Sequence, residues 1–425
     1  MLLPFLSVDV LIQCQLSTID QLSQLVQLQS NSALDIWTHS LALNKTIDIH
    51  VTSTHDYDRL FNLFPSNNCK PVVSRVHDWF HEQEQSFYAS ADSTGKNPDP
   101  FFDHYQSYND IVKKLQEWEK KFPYYVQLNQ SIGQSVQGRD LPAIKITNIS
   151  HVEPKKAIFF NSGQHAREWI GPSTVLYLAY QLLTNPNASK ILNQAEIYIT
   201  PMQNPDGYEF SRSGKRNRLW RKNRRRNKFG IYGVDLNRNW DEHFGKVGSS
   251  QNPISETYHG PYAFSEPETK YLADYILSIP NRYAGIDFHS FGQLILRNWG
   301  WIDTPSKNED VLKELGDGMK AVILRKSHVD YTSERGAALY PASGCTDDWM
   351  TTKAGMIGFT IELRDTGKYG FQLPESQIVS VGDEIWEAML YYFDFILSHD
   401  IPVNEYVNAK EQNSSDILLN NLEDA

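Results

Sequence analysis

The chain has 425 residues, 40% hydrophobic and 21% charged, enough for one large and one smaller domain with a sizeable core. Its formal net charge of −11 argues against general nucleic-acid affinity, the exception being the basic run Lys215 to Lys228, and no apolar stretch reaches the length of a membrane span. Three cysteines, Cys14, Cys69 and Cys345, are too few for a disulfide framework, so a fold dependent on such bonds is not expected.

The opening apolar run lacks a basic start and carries Asp9, which makes it a poor signal peptide. Val8, Val10, Ile12 and Cys14 alternate with Ser7, Asp9 and Gln13, the pattern of a strand. Residues 5–76 then read as strand, helix (18–28), strand (33–38), strand (45–51), helix (55–64), strand (71–76). That order is the split βαβ pattern of a small ferredoxin-like α+β domain. A polar helix over 77–88 completes a unit of residues 1–88, and residues 89–100, rich in Ser, Gly and Pro, form a mobile, protease-accessible linker.

Residues 101–400 form the large domain. A helix capped by Ser107 and Asp110 carries the apolar stripe Ile111, Leu115, Trp118 and Phe122. Further helices fit 171–184, with Pro172 near the start, and 265–278, with Ser265 and Glu268 as a capping box and Pro280 as the stop. Apolar strands precede His165, His289 and Glu362 at 157–160, 284–288 and 356–361. The alternation implies an α/β fold, a mixed, mostly parallel sheet covered by helices on both faces. Residues 401–425 are polar and acidic, a frayed tail.

Each strand leads into a residue with metal or proton chemistry: His165 and Glu168 after the first, His289 after the second, Glu362 after the third. Carboxyl ends of strands are where crevices form in open α/β sheets, so residues 197 positions apart can converge there. Two imidazoles and one carboxylate suit a borderline-soft cation and leave a fourth tetrahedral position for water, whose proton a second carboxylate, Glu362, can take. This is the composition of a hydrolytic zinc site with one Zn2+ per chain. Any one of these histidines alone would read as a packed core residue.

From about Tyr105 to about His399 the chain resembles the zinc metallocarboxypeptidase family of the pancreatic carboxypeptidase A/B type, for which the two-His, one-Glu ligand set is known. The resemblance lies in Gln164-His165-Ala166-Arg167-Glu168-Trp169, Arg218-Leu219-Trp220-Arg221-Lys222, Asp235-Leu236-Asn237-Arg238-Asn239-Trp240, Ser255-Glu256-Thr257-Tyr258-His259-Gly260 and Glu362-Leu363-Arg364-Asp365-Thr366-Gly367. It implies an exopeptidase acting on peptide and protein C-termini. His165, Glu168 and His289 would hold zinc, with Asp235 orienting His165. Glu362 would be the general base and Arg221 the oxyanion donor. Asn237, Arg238 and Tyr340 would grip the terminal carboxylate, and Arg167 would contact substrate backbone.

Asp347 stands where B-type relatives carry Asp, which implies a preference for C-terminal Lys or Arg; Arg335 on the same loop is placed to neutralise it, and Cys345 to narrow the pocket. Phe291 replaces a frequent Tyr, and Ile231 and Ile254 take the places of a bridge in the relatives, where an apolar pair could pack. Residues 1–88, with Leu34-Asp35-Ile36-Trp37 and Thr46-Ile47-Asp48-Ile49-His50-Val51, resemble the family's inhibitory pro-segment. The implied protein is a secreted or vacuolar monomeric proenzyme, cut near Lys96 by an activating protease, with no nucleic-acid or membrane partner. The competing reading is a catalytically inactive zinc-binding relative, which loss of Glu362 or of the carboxylate-gripping pair would have marked.

Overall fold

Alternating apolar residues near the N-terminus supply the inner face of a small sheet. In the computed structural model, which describes residues 8–38, 41, 43–64, 68–79, 97 and 99–402, β1 (Val10–Gln15) pairs antiparallel with β3 (Thr46–Val51) and with β4 (Cys69–Ser74), and β2 (Asp35–Ile36) flanks β3. Helices Ile19–Asn31 and Thr54–Leu63 complete the expected split βαβ order. Thr18 and Gln21 close a reciprocal capping box on the first helix. Ile12, Cys14, Leu25, Ile47, Ile49 and Leu60 are fully buried in this unit's own core.

Cys14 and Cys69 stand opposite each other across the β1–β4 pair and form a disulfide, while Cys345 is free and buried. One bond is no framework, as three cysteines imply, but the pairing itself was not foreseen. Sheet register brings the two together, and cysteine count carries no information about register.

Among the described residues the second sheet has eight strands, in the order β11 (Thr332–Arg335), β10 (Leu294–Arg297), β12 (Ile357–Leu363), β9 (Arg282–Ser290), β7 (Lys156–Ser162), β8 (Ala195–Thr200), β6 (Ala143–Ile146) and β5 (Val126–Asn129). Its centre, β12, β9, β7 and β8, is parallel. β10 and β11 extend one side, and β6 and β5 the other. Strands covered on both faces need apolar residues at successive positions. Thus Ile158 and Phe160 pack with Ile170–Thr184 and Ile378–Ser398 on one face, while Ala157 and Phe159 face Pro267–Ser278 on the other. Among the described residues no helix is long and apolar enough to cross a membrane.

The Ser265–Glu268 capping box does not form. The helix starts at Pro267 with Glu266 as N-cap, and Glu268 is buried, accepting hydrogen bonds from the Val136 amide (3.0 Å) and Asn223 Nδ2 (3.2 Å). A tertiary tie therefore takes the carboxylate the local motif would have used. The expected helix over 77–88 lies mostly outside the described residues, as do most of the linker and the tail from residue 403.

The disulfide closes a loop with a sequence separation of 55. Cys69→Ala is expected to lower the stability of the N-terminal unit by about 2–4 kcal/mol, read as an earlier denaturant transition of that unit in the full chain. An unchanged transition contradicts this.

Candidate active site

β7, β9 and β12 are neighbours, so their carboxyl ends lie within about 10 Å of one another at about 4.8 Å per strand. Gly163, with φ +73°, turns the chain off β7 toward His165; a Cβ there would lie 3.0 Å from Met202 Sδ. His289 sits in β9, and Glu362 is its register partner in β12.

His165, Glu168 and His289 are buried and face one another. His165 Nδ1 is 2.8 Å from Glu168 Oε1, His289 Nδ1 is 2.9 Å from Oε2, and the two Nδ1 atoms are 3.1 Å apart. Each ring's far nitrogen meets a carboxylate: His165 Nε2 lies 3.0 Å from Asp235 Oδ1, and His289 Nε2 lies 3.0 Å from Asp287 Oδ2. Such carboxylates fix ring orientation and leave both Nδ1 atoms turned inward as donors to a cation. Donor types, burial and mutual spacing within 4.8 Å fit a zinc ion.

Burial pushes the Glu362 carboxyl up to about 8, with the charges of Glu168 and Asp287 adding to it and those of His289 and Arg221 opposing. A cation among the three facing residues would act in the lowering direction. Arg364 pairs with Glu384 (Nε–Oε1 2.8 Å), so it is not a structural partner holding Glu362. Asp235 is desolvated by burial, yet Arg221 and His165 hold its carboxyl well below the usual range. Arg221 donates to Asp235 Oδ2 from Nε (3.2 Å) and Nη2 (2.9 Å).

Asn237 Oδ1 accepts from the Thr346 amide (3.0 Å) and hydroxyl (3.2 Å). Arg238 is buried, donating from Nε to Gly248 O (2.8 Å) and from Nη1 to Asn237 O (2.6 Å), while its Nη2 has no hydrogen-bond partner. Its guanidinium carbon lies 5.9 Å from the Tyr340 ring centroid. Cys345 Sγ rests 3.4 Å from Asn237 O, against this pair.

Asp347 is also buried, and burial raises its carboxyl, with Asp287 adding and a Thr360 hydrogen bond opposing. Arg335 does not neutralise it. That guanidinium instead pairs with Asp303 (2.5 Å) and Glu309 (3.2 Å). Ile254 is 46% exposed, so burial does not replace a bridge there. The basic run is divided: Arg218, Arg221 and Lys222 are buried and Arg224 stacks on Phe210 (3.6 Å), leaving Lys215, Arg216, Arg226 and Lys228 exposed.

Arg167 faces the N-terminal unit. Its guanidinium lies 3.9 Å over the Phe371 ring and grips both oxygens of Asp35, with Nη2–Oδ1 at 3.1 Å. Trp37 Nε1 donates to the same carboxylate (2.7 Å), and its ring packs with Phe291 and Phe371. Ser255 Oγ and Asn252 Nδ2 donate to Gln29 O (3.1 Å) and Asn31 O (3.2 Å) at the end of helix Ile19–Asn31. A cavity of about 250 Å³ remains between the two sheets' units, walled by Leu22, Asp35, Arg167, Arg221, Glu256 and Tyr340 among others; Asp347 does not line it.

Sequence reading missed Asp287, Gln164 and Thr346. Gln164 Nε2 bridges Asp287 and Thr346 Oγ1 (2.6 Å). Asp287 had a signal: it lies two residues before His289, on the same side of a strand. Gln164 and Thr346 had none, since only folding joins them.

A model of the zinc carboxypeptidase family matches residues 111–388. The chain is 32% identical to a metallocarboxypeptidase A-like protein of Trichophyton verrucosum over 388 residues, 88% of this chain and 90% of that one. It is 31% identical to carboxypeptidase A1 of Homo sapiens over 403 residues, 93% and 94% of the two chains. The crystal structure of the carboxypeptidase A from Helicoverpa armigera is similar with a TM-score of 0.82 at 28% identity, covering 93% of this chain and 98% of that one.

Asp287→Asn is expected to weaken tight zinc binding on the order of 10–100-fold, as for other lost outer carboxylates, measured by chelator competition. Unchanged affinity would show that the Asp287–His289 contact does not tune the metal.

Proposed function

Because the chain belongs to the zinc carboxypeptidase family, whose members use one zinc ion per chain, we propose that it hydrolyses the last peptide bond of peptides and proteins, releasing single C-terminal residues. The observation that carries this reading is the convergence of His165, Glu168 and His289 beside Glu362 at three adjacent strand ends. These three side chains would hold the ion. Zinc, when bound, supplies Lewis acidity toward water and the scissile carbonyl.

The chain's own groups complete the chemistry. Glu362 takes the proton of the attacking water and delivers it to the leaving amine. Arg221, oriented by Asp235, donates to the oxygen on which negative charge develops. The buried, unpartnered Nη2 of Arg238 supports capture of the terminal carboxylate, with Asn237 and Tyr340 beside it, which makes cleavage exo rather than endo. Presence of all five residues favours catalysis over the inactive, zinc-binding alternative.

Arg167 is the group proposed to hold substrate backbone, and Asp35 occupies it. That supports a proenzyme whose N-terminal unit obstructs the cleft until the linker near Lys96, outside the described residues, is cut by another protease. A disulfide in that unit suits an oxidising secretory or vacuolar compartment.

Asp347 supports a preference for C-terminal Lys or Arg, since a buried carboxyl with a raised pKa gains most from an entering cation. Only its ionised form attracts that cation, so the preference strengthens as pH rises through the raised pKa.

Glu362→Gln is expected to retain zinc while lowering kcat by on the order of 10²-fold or more; near-normal kcat would remove Glu362 from the role of base. The specificity test compares kcat/KM for matched peptides ending in Arg, Phe and Glu, before and after trypsin treatment, in the parent and in Asp347→Ile. Arg is expected to lead only after cleavage and to lose its lead in the variant. Full activity of the uncut chain on a large peptide rejects the proenzyme, and an unchanged Arg-to-Phe ratio rejects Asp347 as selector.

A further inference from the structure

A second set of two imidazoles and one carboxylate lies in the N-terminal unit, separate from the trio of His165, Glu168 and His289. Asp9 precedes β1, His50 belongs to β3, and His77 follows β4. Asp9 Oδ1 is 2.9 Å from His50 Nε2, and Oδ2 is 2.8 Å from His77 Nδ1. The ligand atoms of all three lie within 4.8 Å of one another, as do those of His165, Glu168 and His289. We infer that Asp9, His50 and His77 form a second divalent-cation site, of zinc type, in the N-terminal unit.

The donor set is chemically the same as that of the catalytic trio, neutral nitrogen plus anionic oxygen, and so suits the same borderline-soft ion. Tetrahedral bonds of about 2.0–2.1 Å place ligand atoms about 3.3 Å apart, so the two Asp9–His contacts, at 2.9 and 2.8 Å, would open outward as hydrogen bonds give way to coordination. The site has an entry path. Asp9 and His77 side chains are 19% and 20% exposed, so solvent reaches the cluster from their side, whereas His50 is 5% exposed.

The backbone is already fixed around the cluster: the His77 amide donates to Asp9 Oδ2 (3.0 Å) and the Val76 amide to Asp9 O (3.1 Å). An ion here would cross-link three chain segments, adding to the sheet pairing and the Cys14–Cys69 bond that already join β1, β3 and β4. One of them is directly connected to the cleft, because His50 is the register partner of Asp35, and its ring lies 5.1 Å from that of Trp37. Another, at His77, is the start of the segment that leads to the linker.

The test titrates metal-free, uncut full chain with Zn2+ against a chromophoric chelator. Two equivalents are expected, the weaker one lost in His77→Gln and in Asp9→Asn, whose partly exposed side chains can change without opening the core. In the His289→Ala chain, Co2+ is expected to retain the visible absorption of a tetrahedral site and to lose it on adding His77→Gln. Circular dichroism checks that the variants remain folded. A single equivalent in the parent chain, which needs no variant to interpret, overturns the inference. So does a second equivalent that persists in both His77→Gln and Asp9→Asn.

Discussion

Asp235 has no solvent exposure, and its two oxygens serve three partners: His165 and the Asn237 amide at Oδ1, and the Arg221 guanidinium at Oδ2. A buried carboxylate is tolerated only when its charge and lone pairs are answered, and breaking such a pair from one side costs about 3–5 kcal/mol. The cluster is therefore all-or-nothing. The ring angle of His165 and the position of Arg221 are set by one group, so neither can move without the other's support changing. Asp287 performs the matching service for His289, itself steadied by Asn161 Nδ2 (2.9 Å) and Gln164. Both carboxylates thus stand behind the imidazoles, leaving the inward nitrogens as the reactive surface.

Around this centre the fold distributes tasks by rigidity. His289 and Glu362 stand in adjacent parallel strands, where backbone position is fixed by the ladder, and His165 and Glu168 follow in the turn that leaves β7. Arg221 and Arg238 lie on irregular segments, and they are held instead by carboxylate and carbonyl partners. Arg167 is held at its edge by Asp35 and on one face by the Phe371 ring, so its planar fork is already oriented.

Much of this was legible because it is local. The alternation of Val10, Ile12 and Cys14, the capping by Ser107, and the apolar runs before His165, His289 and Glu362 each follow from a repeat or a short motif, and the elements formed where expected. What failed was tertiary. The Cys14–Cys69 bond depends on register, Glu268 left its capping box for Val136 and Asn223, and Arg335 found Asp303 and Glu309 rather than Asp347. Long side chains choose among partners that no window of sequence contains. Asp287 is the instructive omission, since strand periodicity alone places it beside His289.

The Asp35–Arg167 pair joins two parts of one chain, so its strength is a matter of local concentration as well as contact. While the chain is continuous, the carboxylate competes for the guanidinium at an effective concentration of roughly millimolar or higher. Severing the connection changes no atom at the interface, but it turns a first-order closure into a second-order encounter that dilution opposes. Under the proposed proenzyme reading, activation would then be a change of molecularity, and the released unit would act as a free inhibitor whose hold weakens as the protein spreads through its compartment.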